Sequence, residues 1–234
     1  MTELQQKVHA IQERLATRDA HEQNLACNEA LELLETLTET EQKETLCSIT
    51  IAPLLDLNRE NDWRKCLNIL QQSSICQFQM AAVFSEAWWF MKRKDISGML
   101  DVYEKGIAIA TTHDDKQAIA ECYLCKGKSL IQQSELTQAL NAFGMCIEAA
   151  KQVFNFKMVA VATYYIAMVM HAMGKQAIAL EKLREASDIA VAQRNQNIVK
   201  HVEIVRAKLL LEQGDQEKAK IILNDWMTQF GLIL

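Results

Sequence analysis

Small and bulky apolar residues recur along this chain at a spacing of 40. Met99, Ala139, Ala179 and Ala219 share one column. Four residues later stand Tyr103, Phe143, Leu183 and Leu223, and three beyond those Gly106, Cys146, Ala186 and Trp226. Offsets of four and three place side chains on one face of a helix. Twelve residues before the first column lie Ala87, Gly127, Ala167 and Ala207, each followed three residues later by Phe90, Leu130, Met170 or Leu210. Each unit therefore holds two helices that meet where small side chains let their backbones approach. The register needs no insertion over four units.

The pattern predicts eight helices over 77–92, 96–111, 115–132, 135–152, 156–172, 176–193, 197–212 and 216–229. Gly174 and Gly214 fall between helices, where a left-handed stop needs no Cβ. Asp215 is placed as an N-cap, and Asp114 and Asp115 suit the positive end of the next helix. Upstream, 22–38, 41–58 and 62–73 also read as helices, with an interruption expected near Pro53. Cys66 and Leu70 occupy the small and large columns of a degenerate first repeat. Leu4, Val8, Ile11 and Leu15 give 3–18 an amphipathic pattern, a helix that caps the array or pairs with a partner chain. No Ser/Gly-rich linker divides the chain, so 1–234 is expected to be one domain, with degenerate helices over 1–75 and four clear helix pairs over 76–234.

These columns resemble the tetratricopeptide (TPR) family, whose pattern W-x2-L-G-x2-Y…A-x3-F is met best by Tyr123, Gly127, Leu130, Ala139 and Phe143. The chain departs from it at the leucine column, occupied by Glu86, Lys126, Ile166 and Arg206. The closing proline is absent, and the period is 40 rather than 34. The longer period is similar to the long-repeat TPR branch of bacterial signalling proteins and regulators. The resemblance covers about residues 77–230. It implies an all-α fold, a right-handed superhelix of antiparallel helix pairs (a TPR-like α-solenoid), and it is nearly silent on ligand.

Composition agrees with long helices and short loops. The 234 residues include one proline and seven glycines, too few for the many tight turns of a sheet protein. The formal charge is −5, and without a basic stripe the chain is not expected to bind nucleic acid. The longest apolar run is far short of the ~20 residues that span a bilayer, and Met1–Lys7 has no apolar signal core. A cytoplasmic protein with no membrane partner is expected. The seven cysteines, scattered through apolar helical patterns, read as reduced and buried.

Little in the sequence carries chemistry. Cys122-x-x-Cys125 lacks a second ligand pair for zinc, and it sits mid-helix where a thioredoxin-like motif would need a strand–helix context. His9, His21, His113, His171 and His201 form no HxxxH or HExxH spacing, and no phosphate-binding Gly-rich loop or nucleophile elbow appears. No catalytic, cofactor or metal residues are assigned, and the chain is expected not to be an enzyme.

The resemblance implies that the first helix of each pair lines a concave groove. The matching partner-binding residues are Phe84, Trp88 and Met91; Leu124 and Lys128; Tyr164, Met168 and His171; and Lys208. Ser85, Cys125, Ile131, Tyr165, His201, Ile204 and Leu211 flank them. The lining is aromatic and aliphatic with two lysines, and it lacks the Lys/Arg/Asn cluster with which TPR proteins hold a terminal carboxylate. Either an external peptide or the chain's own N-terminal helices would fill it. Trp88 and Trp89 face about 100° apart, so one is core and the other groove. The last helix carries Ile221, Ile222, Leu223, Trp226, Met227 and Phe230, followed by Gly231-Leu232-Ile233-Leu234, without a polar cap. A second copy (a homodimer), or a fused or downstream domain, is expected to cover that end. The functional expectation is a protein- or peptide-binding scaffold or sensory module in signalling or regulation. The alternatives are a cytosolic chaperone for secreted proteins and a TPR-type regulator of response regulators.

Overall fold

The structure, a computed structural model, describes residues 2–229, with side chains described to residue 224. Among the described residues are twelve helices and no strand: α1 (Glu3–Leu15), α2 (Ala20–Thr36), α3 (Thr40–Asp56), α4 (Glu60–Gln71), α5 (Cys76–Lys92), α6 (Ile96–Thr112), α7 (Lys116–Gln132), α8 (Leu136–Gln152), α9 (Phe156–Ala172), α10 (Gln176–Ala192), α11 (Gln196–Glu212) and α12 (Gln216–Gln229). None is long and apolar enough to cross a membrane.

From α5 to α11 every helix has 17 residues, and their starts are 20 residues apart. The 40-residue period is thus two copies of helix plus three-residue turn. Each turn reverses the chain through one left-handed residue: Lys94, Asp114, Ser134, Phe154, Gly174, Arg194 and Gly214. At these turns the next amide donates back to the carbonyl five residues earlier, as Asn155 N–H does to Ala150 O at 2.9 Å and Asp215 N–H to Leu210 O at 2.9 Å. This closes the orphan carbonyls of the helix end. Asp95, Asp115, Asn155 and Asn195 then accept the amide three residues on and cap the next helix.

The chain divides into two compact units, residues 1–113 and 114–234. The second holds the pairs α7/α8, α9/α10 and α11/α12. The small columns are its contact points: Ala139, Ala179 and Ala219 are fully buried, as are Phe143 and Leu183. A Cβ on Gly127 would lie 2.5 Å from Phe143 Cε1, so the close approach predicted at that glycine is real. Trp226, Met227, Phe230 and Gly231–Leu234 lie outside the described side chains, whereas Ile221 is exposed and Ile222 and Leu223 are half-buried.

In the first unit α3 packs on α4 and α5 on α6. Cys66 and Leu70 are fully buried, in keeping with a degenerate first repeat. α3 runs unbroken through Pro53, contrary to the expected interruption. The ring sits in the last turn, where Leu57 N–H still bonds Pro53 O at 2.9 Å, so only the ladder bond of the missing proline amide is lost. α1 packs on α2 and α3, burying Ile11 and Leu15. Arg59 ties α4 to α2, donating to Asn24 and Asn28 Oδ1 and gripping Asp62. Lys92 Nζ donates to Leu55 O at 2.6 Å, capping the carbonyl end of α3.

Candidate partner-binding surface

The first helix of each pair shows three columns that are never fully buried. They are Phe84, Leu124, Tyr164 and Ile204; Trp88, Lys128, Met168 and Lys208; and Met91, Ile131, His171 and Leu211. Every one of these side chains is at least partly open. Trp88 is 45% exposed, Met91 46%, Ile204 44% and Leu211 49%. The neighbouring column Ala87, Gly127, Ala167 and Ala207 is buried throughout. One residue of offset therefore separates the packing face from an open apolar one. The chain's own N-terminal helices leave Trp88 and Met91 uncovered.

In the first unit the two adjacent tryptophans separate as their 100° offset requires. Trp88 points outward. Trp89 stacks on Trp63 with centroids 5.8 Å apart and planes 3° from parallel. The Arg93 guanidinium lies 3.7 Å from its ring centroid, and Glu60 bridges Arg93 and Arg64. Those two cations hold the Glu60 carboxyl below its usual range. Trp63 Nε1–H donates to Ser85 Oγ at 2.8 Å. Ser85, placed by sequence beside the groove, is thereby drawn into the core. Trp89 Nε1 is buried without a hydrogen-bond partner.

In the second unit an aromatic run connects α7, α8, α9 and α11. The Lys128 ammonium sits 5.7 Å from the Tyr165 ring. Tyr165 stacks on Phe143 at 5.4 Å and meets Tyr164 edge-on at 5.2 Å. The Tyr164 hydroxyl and His201 Nε2 are 3.1 Å apart. Burial, with Tyr165 alongside, pushes the Tyr164 phenol upward, so it stays protonated and able to donate. His171 Nδ1 contacts Gln176 Oε1 at 2.7 Å, and its Nε2 lies 3.7 Å from Glu212 Oε2. Lys208 Nζ is 4.0 Å from the same carboxylate. Met168 and Leu124 are half-buried and Lys128 is exposed.

The sequence placed Tyr165 in the groove lining but not as the link of this run, and it missed the Gln176–His171–Glu212 network. The available signal was an offset of 37, one repeat less three, which relates Tyr164 to His201. Such an offset brings successive first helices into lateral contact.

Three buried thiols are held protonated, while Cys66, fully buried itself, is lowered by its hydrogen bond with Cys47. Burial pushes Cys27 up to about 11 and Cys146 up to about 12, and Cys47 is raised further by donating to Cys66. Protonated thiols attack poorly. Among the described residues no group of three or more His, Cys, Asp or Glu is placed to hold a metal ion.

No protein-family model matches the chain, and no curated protein matches it. Its likeness is to solved structures. BtubC (BKLC) from P. vanneervenii superposes with a TM-score of 0.73 at 12% identity, over 100% of this chain and 93% of that one. Aspartyl phosphate phosphatase F from Bacillus subtilis gives 0.71 at 12% identity, over 97% and 70%. A Signal Transduction ATPase with Numerous Domains from Pyrococcus horikoshii, which has a tetratricopeptide repeat sensor, gives 0.72 at 12% identity, over 92% of this chain and 35% of that one. The fold is that of the TPR-like helical repeat proteins.

Proposed function

We propose that this chain is a non-enzymatic protein- or peptide-binding module that acts in signalling or regulation in the cytoplasm, and that the open columns of its first helices are the binding surface. The observation that carries the reading is the exposure of Trp88 and Met91 in the first unit and of Ile204 and Leu211 in the second, on helices whose Ala87 and Ala207 are packed in the core. Within each unit, apolar side chains left open together are normally spent on a partner. Aromatic residues dominate the energy of such contacts. Lys128 and Lys208 add two cations to the apolar lining, which suits a segment with hydrophobic anchors.

Selection of peptides from a displayed library against the purified chain tests this. Sequences with regularly spaced apolar anchors should be enriched. Trp88→Ala and Tyr164→Ala should each weaken binding by on the order of 30-fold, the cost of losing one aromatic hot spot. Enriched peptides that bind all three proteins equally would refute the surface. The same fold serves an aspartyl phosphate phosphatase in B. subtilis. On the second reading, a regulator of response regulators, no short peptide would be enriched and a folded receiver domain would bind in its place, again sensitive to the two variants.

A further inference from the structure

We infer that the α8–α9 turn is an anchor by which one copy of this chain docks into an acidic cleft between α1 and α3 of a second copy. The turn carries Phe154 in the left-handed conformation, with φ 55°, and leaves it 79% exposed. The same place in the other six turns is filled by glycine (Gly174 and Gly214) or by a polar or charged residue (Lys94, Asp114, Ser134 and Arg194), never by another apolar one. A bulky aromatic residue is a poor choice for positive φ. Phe154 contributes little to the core in exchange, since among the described residues its one aromatic neighbour is Phe156, at 6.5 Å. Val153 and Phe156 are exposed beside it. The fold would be better served by glycine, so the ring answers another need.

The charge around the ring says what it meets. Lys151 and Lys157 flank Phe154 three residues away on either side, and both are exposed without an ion pair among the described residues. No Asp or Glu occurs from 149 to 180. The chain as a whole carries −5, and the deficit is concentrated at the other end: residues 1–56 hold eleven carboxylates against four Lys and Arg. There a cleft of ≈ 470 Å³ opens between α1 and α3. Leu4, Val8 and Leu37 line it with Glu39 and Glu41, and His9 is its one residue that can take up a positive charge. An aromatic knob between two lysines thus complements an apolar hollow with two glutamates on a second copy. The cleft on the other side of α1 also has acids, Glu29 and Glu32, but Lys7 stands among them.

Knob and cleft are different patches, so the contact is heterologous, and each copy offers one of each. That gives the test a signature that a symmetric dimer lacks. Sedimentation velocity of the wild type at low salt should show mass rising with concentration up to on the order of 100 μM, the weak range of specific association. Added salt should weaken it by screening the exposed charges. Phe154→Gly should stay monomeric while melting no lower than wild type, because glycine suits that turn. Glu39→Lys/Glu41→Lys should also be monomeric. Mixed, the two variants should form a one-to-one dimer that grows no further, since one supplies the only knob and the other the only cleft. A monomeric wild type, a Phe154→Gly variant that associates normally, or a mixture that stays monomeric would each overturn the proposal.

Discussion

Two glycines in consecutive helices show how much one methyl group weighs when its surroundings are known. Gly127 in α7 faces Phe143, whose ring is fully buried and stacked on Tyr165. An added Cβ at 2.5 Å from that ring cannot be relieved by swinging the phenylalanine aside. Gly144 in α8 has nothing within 4 Å of where its Cβ would be. Helix interiors favour alanine over glycine by about 0.5–1 kcal/mol, whereas overpacking a core costs about 1–3 kcal/mol. Gly144→Ala should therefore raise the melting temperature, and Gly127→Ala should lower it despite the same gain in propensity. Thermal denaturation of both variants beside wild type checks the sign. Equal shifts would mean that the α7–α8 contact is looser than the structure shows.

The element that repeats is a 17-residue helix with a three-residue reversal, and its two ends are secured differently. Asp95 caps α6 with one bond, Oδ1 accepting from Gly98 N–H at 2.9 Å. Asn155 caps α9 in the same way, and its Nδ2 also donates to Gln117 Oε1 on α7 at 3.0 Å. Removing a cap costs about 1 kcal/mol, and a net hydrogen bond between elements about 0.5–1.5 kcal/mol more. In urea titrations Asn155→Ala should thus lose roughly twice what Asp95→Ala loses. Equal losses would show that the Asn155–Gln117 bond adds nothing. Helix positions and the small–large columns were legible in the sequence because they obey a fixed register. Gly174 and Gly214 marked two reversals, but Lys94, Ser134, Phe154 and Arg194 occupy the same left-handed place without the residue type that announces it. The same limit applies to the candidate surface. The 100° step between Trp88 and Trp89 showed that they part, but not which one turns inward. That was decided by Trp63 and Arg93, partners 26 and four residues away in the chain, which sandwich Trp89. Ser85 was drawn inward by the same Trp63.

Over the whole molecule, the seven cysteines, none in a disulfide, are distributed as reporters of opening. Cys27, Cys47 and Cys66 are buried in the first unit, and Cys122 and Cys146 in the second, while Cys76 and Cys125 are half-buried. Alkylation requires both access and a thiolate. Burial denies the first and, at Cys27 and Cys146, suppresses the second by raising the thiol to about 11 and about 12. A group whose pKa is raised in the fold keeps its proton until the surrounding structure opens, and its reactivity then returns to that of an ordinary thiol near ~8.5. Helical repeats contact mainly their neighbours, so they open in blocks and not residue by residue. Mass-spectrometric alkylation near neutral pH should label Cys76 and Cys125 first in the native protein. With rising urea Cys27, Cys47 and Cys66 should become reactive as one set, and Cys122 and Cys146 as another. Fast native labelling of Cys27 or Cys146 would contradict the burial on which both their raised pKa values and the packing of the two units depend.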